Sequence, residues 1–383
     1  MMKTQATRRL PLLYTHPIGS LPRPQAVRDL LSRRDEMDAA RFRGVLDDMV
    51  RFAIHLQELA GMDVVSDGEW RRVQYIREFL LRIGGFEKCR RYRHQGEEKT
   101  TDVVVRRMAD AEPVFAADAN FLVENTDRVT KFALPSPFLI AIRYWHPAHS
   151  RDAYPTMWHF LDHLAEMLAR EAQALAASGI DIVQIDDPAL TYYCDPDLLV
   201  GNTHDERLQR EWNIEAELPI AINAICRVID GLPCETHLHC CHSVYKRRSD
   251  VRGNYRPLLP YFRDLRADRV NLEFAYPGTG DVSDLRLLPP NLCAGMGVVD
   301  VRSAQLPEVE QIAQLVREGL KVLAADRIAL NPDCGFAPDA GEPPTLDEAY
   351  EKLRRLSEAA RRVRDEIGCG GASDDRIQTN RSI

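Results

Sequence analysis

Nowhere in its 383 residues does the chain carry an uninterrupted apolar run near the ~18 residues a membrane helix needs. The polar, basic start over residues 1–10 leads into no apolar segment of signal-peptide length, so a cytoplasmic protein with no membrane partner is expected. Excess positive charge is missing too. Fifty basic against 58 acidic side chains leave a formal charge of −8, the wrong sign for a generic nucleic-acid surface. No Gly-x-Gly-x-x-Gly follows the first apolar run and no Gly-Lys-Ser/Thr loop occurs, which removes the usual signals for dinucleotide and P-loop phosphate binding. Internal repeats and low-complexity linkers are absent. The nine cysteines are an odd number spread over a long chain, and they read as reduced thiols, some available as metal ligands.

The remaining composition, 45% hydrophobic and 28% charged, is that of an ordinary globular chain. Short apolar runs rich in β-branched residues fall at 12–19, 62–66, 137–143, 180–186, 234–240, 269–274, 292–298 and 327–331. Amphipathic helical stretches at 38–60, 156–178, 205–230, 255–267, 306–325 and 345–367 lie between or after them. Eight strands with interposed helices predict an α/β fold, a (β/α)8 TIM barrel. The expected domain is a single barrel over 1–367. An inserted excursion between strands 2 and 3, at about 75–136, includes a strand-like stretch at 101–108 that suggests a hairpin. Residues 368–383 form the expected flexible tail.

Barrels of this kind place reactive groups at the carboxyl ends of their strands. The fifth run ends in Cys234-Glu-Thr-His237-Leu-His239-Cys240-Cys241-His242, a density of borderline-soft ligands that chance rarely supplies. Residues two apart in an extended segment share a face, so His239 with Cys241, or His237 with His239, can act together. The sixth run ends in Glu273-Phe274 and the eighth leads into Asn331-Pro-Asp-Cys334-Gly335. His, Cys, Glu and Cys around one ion would favour zinc over magnesium or calcium. Elsewhere, Ile18-Gly19-Ser20 offers backbone N–H groups to a carboxylate. Asp67-Gly68-Glu69 and Gln184-Ile-Asp186-Asp187 bring acids to strand ends, suited to an ammonium group. Trp145 gives a flat face for a ring.

Together with Gly297-Val-Val-Asp300-Val-Arg302-Ser303, these motifs resemble the catalytic barrel of cobalamin-independent methionine synthase, in a short single-barrel form, from about Thr15 to Gly335. The resemblance implies zinc on His239, Cys241, Glu273 and Cys334. It also implies an amino-acid thiol held by Glu69 and Asp186, a carboxylate site at Ile18, Gly19 and Ser20, and a folate pterin lined by Trp145. The implied reaction is methyl transfer from a methylated tetrahydrofolate to homocysteine, with Asp186, Glu69 and Asp300 as catalytic groups. Two positions depart from the pattern. Arg302 stands where the long enzymes carry a histidine thought to help protonate the donor, and an arginine is a poor proton donor. Asp187 replaces a glutamate. Competing readings are a non-folate methyl donor, an alkyl transferase or lyase of the epoxyalkane:coenzyme M type, and a zinc-binding barrel without catalysis.

Overall fold

The computed structural model describes residues 10–109, 112–244, 246–337 and 344–374. After β1 (Val64–Val65) comes a hairpin, β2 (Phe86–His94) and β3 (Glu97–Val104). Six more strands follow: β4 (Val129–Pro135), β5 (Ile182–Asp186), β6 (Glu235–His239), β7 (Arg269–Glu273), β8 (Cys293–Val299) and β9 (Ile328–Pro332). β1 and β4 to β9 make one sheet in that order, every pair parallel.

The ring closes through a segment too short to count as a strand. Leu330 donates its N–H to the Tyr14 carbonyl at 2.8 Å and accepts one from His16 at 3.0 Å, while Val64 donates to Thr15 at 3.0 Å. Tyr14–His16 therefore acts as the eighth stave between β9 and β1. All of β4, β5, β7 and β9 is buried, as expected of parallel strands covered on both faces.

Helices wrap the outside. The sequence fixes their starts: Asp38 accepts from the N–H groups of Ala40 and Arg41 ahead of Ala39–Leu59, and Thr156 caps Met157–Ala177, satisfying donors that a helix N-terminus otherwise leaves unpaired.

Three staves are tied to their neighbours at the strand starts by the same device. Thr15 donates its N–H and hydroxyl to Asp63 Oδ2 at 2.8 and 3.0 Å, and the Asp63 N–H returns to Thr15 Oγ1 at 3.1 Å. Thr130 with Asp181, and Thr236 with Asp268, repeat the clasp bond for bond. The clasps join alternate stave pairs, in keeping with the alternating layers of an eight-stranded barrel.

The structure corrects several sequence boundaries. Residues 137–143 are not the third strand but most of a helix, Pro137–Tyr144, capped by Ser136. The true third stave is β4, which lies inside the segment set aside as an excursion. The expected helix at 255–267 shrinks to a 3₁₀ turn, Leu259–Asp264, because Pro257 and Pro260 remove donors an α-helix needs. The last helix, Leu346–Asp374, runs past Gly368; the rest of the expected tail, 375–383, lies outside the described residues. Among the described residues no helix is long and apolar enough to cross a membrane.

Candidate active site and metal centre

At the carboxyl ends of the strands opens a cavity of about 300 Å³. β6 ends at His239, and two residues on, Cys241 has turned to the same place; Cys334 arrives from the loop after β9. Their ligand atoms all lie within 4.8 Å of one another and all three side chains are buried. The two sulfurs are 3.5 Å apart. Two thiolates at ~2.3 Å from a tetrahedral zinc sit ~3.8 Å apart, so little adjustment is needed. His239 donates from Nδ1 to Asp186 Oδ1 at 3.1 Å, while its Nε2 is buried without a partner. An imidazole anchored on one nitrogen by a carboxylate, with the other free, is how metal-binding histidines are held. The donor set fits a zinc ion.

Without a cation, His239 and Cys241 hold their protons. Burial alone would push the His239 imidazolium down, but Cys241 and Asp186 outweigh it and raise its pKa to about 10. The Cys334 thiol against it, with burial, raises Cys241 well above the ordinary thiol range. The Cys241 sulfur does not ionise readily unaided; a divalent cation reverses that balance.

Of the two histidines, His239 is the one that lies with the cysteines. His237, two residues earlier, turns its Nε2 to Glu235 at 2.9 Å and lies beside Asn271, on the barrel axis away from the cysteines. Glu273 is not brought into the cluster among the described residues. Its oxygens are taken by Arg302 and His242, at 2.7 and 2.6 Å.

The acids expected to hold an ammonium group do reach the cavity. Glu69 follows the left-handed Gly68 and itself has φ of 58°, a conformation costly for a residue with a side chain. That turn aims the carboxylate across Gly19, where a Cβ would come 2.5 Å from Glu69 Oε1. Any larger residue there would push the Glu69 carboxylate aside. Glu69 Oε1 lies 3.7 Å from Arg72, and Oε2 is buried with no partner. Burial pushes the Glu69 carboxyl up to about 7, Arg72 opposing and Asp186 reinforcing. Asp186 is fixed from below by Gln184 Nε2 at 2.6 Å, and the same amide donates to Ile18 O at 2.8 Å. Ile18, Gly19 and Ser20 also line the cavity.

Three expectations are not met. Trp145 is outside the cavity lining; its indole donates to Tyr154 O at 3.0 Å. Asp300 is likewise outside it, its carboxylate accepting the Arg302 N–H at 2.7 Å. Asp187 accepts from the Ser136 hydroxyl and from the N–H groups of Ala189 and Leu190, a turn-holding role away from the cavity.

Sequence reasoning missed the opposite wall. The hairpin turns at Gln95-Gly96, both left-handed, as a two-residue connection requires. It docks over the mouth, Gln95 N–H donating to His204 O at 2.9 Å. Lys88 and Lys99 from the hairpin face the cavity with Arg77, Arg143 and Arg207. Arg143 donates twice to the Tyr192 hydroxyl, at 3.1 and 2.7 Å. Glu69 and Asp186 thus stand at the cysteine end of the cavity, and cations outnumber Asp102 and Asp250 toward the hairpin. Basic residues at 77, 88 and 99 were visible in sequence, but nothing local told which side of a hairpin would turn inward.

A family described as cobalamin-independent synthase, catalytic domain, matches residues 13–362. The chain belongs to that family. It is 28% identical to a methionine synthase of Pyrococcus furiosus over 380 residues, covering 98% of this chain and 99% of that one. With a 5-methyltetrahydropteroyltriglutamate–homocysteine methyltransferase of Halalkalibacterium halodurans it shares 26% identity over 94% of its own length but only 44% of the relative. A solved B12-independent methionine synthase from Shewanella sp. W3-18-1, in complex with selenomethionine, superposes with a TM-score of 0.77 at 25% identity, over 94% of this chain and all of that one.

Proposed function

We propose that the chain transfers a methyl group from a methylated tetrahydrofolate-type donor to the thiol of homocysteine, giving methionine, with zinc held by His239, Cys241 and Cys334. The observation that carries this reading is the convergence of those ligands with Glu69 and Asp186 on one cavity. A thiol with an ordinary pKa near ~8.5 is mostly protonated at neutral pH, and zinc coordination supplies its deprotonation. Glu69 Oε2 and Asp186 then take the amino group, and the N–H groups around Gly19 and Ser20 take the carboxylate. These contacts fix the sulfur's direction, and fixed direction is itself a large part of the rate.

The cationic wall suits the second substrate. A folate carries glutamate carboxylates, which the lysines and arginines of the hairpin side attract. The acids at the metal end favour this reading over a sulfonate thiol, which has no ammonium to pair with Glu69 and Asp186. The test is a donor screen on zinc-loaded protein with homocysteine, methionine being followed by mass spectrometry with a deuterated methyl group. Labelled methionine from the methylated folate is expected. Methylation of 2-mercaptoethanesulfonate in preference to homocysteine would overturn the acceptor assignment.

A further inference from the structure

Glu273 is completely buried and both its carboxylate oxygens have partners. Arg302 Nη2 donates to Oε1 at 2.7 Å; His242 donates to Oε2 from Nδ1 at 2.6 Å and from its backbone N–H at 3.0 Å. The clamp is itself clamped. His242 Nε2 donates to Gly253 O at 2.7 Å. Arg302 also donates to Ser243 O at 2.9 Å, with its guanidinium 4.7 Å from the centre of the Tyr276 ring. Behind the carboxylate, the Glu273 N–H donates to the Tyr255 hydroxyl at 3.0 Å, which donates to Cys240 O at 2.9 Å. Turning Glu273 toward the cysteines would strand Arg302, 3% exposed, as an uncompensated buried cation, and its Nε and Nη1 already lack partners.

We propose that Arg302 and His242 hold Glu273 out of the metal's coordination sphere. His239, Cys241 and Cys334 would then hold a zinc ion without Glu273, so that thiol entry would not require a carboxylate to be displaced. The inference rests on the metal reading above and departs from the four-ligand set that the family resemblance implies. It gives Arg302 a positioning role: the residue that stands in place of a proton-donating histidine also removes the fourth ligand.

The experiment compares zinc affinity, by competition with a chromophoric chelator, for the unchanged protein, Glu273→Gln, Glu273→Met/Arg302→Met and Cys334→Ser. The double variant removes the Glu273 and Arg302 charges together, so Arg302 is not left as an unpaired buried cation; thermal melting checks that each protein folds. Both Glu273 variants are expected to keep zinc affinity within about threefold, and Cys334→Ser to lose it by about a hundredfold or more. Should the double variant not fold, Glu273→Gln decides alone. A second readout is 2-mercaptoethanol binding to the cobalt-substituted protein, followed by sulfur-to-metal charge-transfer absorption. Its affinity is expected to be the same with and without Glu273→Gln. Loss of zinc in Glu273→Gln by about tenfold or more, or a similar gain in thiol affinity because a competing carboxylate has gone, overturns the inference while leaving the metal reading intact. If the unchanged protein takes up no zinc, the metal reading fails and takes this inference with it.

Discussion

Asp186 serves two neighbours at once: one oxygen anchors His239 Nδ1 and accepts from Gln184, while the side chain lines the cavity. Asp186→Asn should therefore lower zinc affinity by about 10- to 100-fold, the usual effect of losing the carboxylate behind a metal-bound histidine. It should weaken homocysteine binding as well; chelator competition and KM measure the two separately. Glu69 predicts a pH dependence. Burial raises its carboxyl to about 7, so below that pH it is neutral and no longer pairs with an ammonium group. KM for homocysteine should rise as pH falls through 7, and Glu69→Gln should abolish that rise; an unaltered profile in the variant would assign the titration elsewhere. At this scale strand ends located the site but not every role: Glu273, Asp300 and Asp187, also at strand ends, turn to other partners. His239, Cys241, Cys334, Glu69 and Asp186 converge because each follows a buried stave. Trp145 misled, because its placement depended on reading 137–143 as a strand.

That misreading has a physical cause at the scale of elements. In the helix Pro137–Tyr144 every residue but Arg143 is buried, so it shows no polar stripe, and a short apolar run has the same appearance as a strand. The true third stave was hidden by Lys131 at its centre. Lys131 is 1% exposed and donates into the barrel to Pro17 O at 2.7 Å; burial drops its pKa to about 7. A charged residue there argues against a buried strand until its partner is known. The hairpin yields its own prediction. It borders the cavity but adds no stave to the barrel, so replacing 88–102 with a short Gly-Ser turn should leave zinc content unchanged. KM for an anionic donor should rise about tenfold or more, equivalent to ~1.4 kcal/mol. Initial rates at varied donor and saturating homocysteine measure it.

For the molecule as a whole, closure matters most; the eight-stave barrel was expected from the order of elements, but the register of its closing stave was not legible. The run at 12–19 was read as a full strand, yet only Tyr14–His16 forms ladder bonds, between β9 and β1. Ring closure is a property of register across sequence separations that no local pattern reports. The Thr–Asp clasps hold that register at the end remote from the His239, Cys241 and Cys334 cluster. Asp181→Ala, which leaves the Thr130 N–H and hydroxyl without their acceptor, should cost ~1–3 kcal/mol of stability. Denaturant melting measures the loss, and zinc content should not change.

The most direct test of the account is zinc K-edge X-ray absorption on the purified, zinc-loaded protein. Two sulfur scatterers at ~2.3 Å and one imidazole nitrogen at ~2.0 Å are predicted, with one sulfur disappearing in Cys334→Ser. A first shell of oxygen and nitrogen alone, or a spectrum indifferent to that substitution, would contradict it.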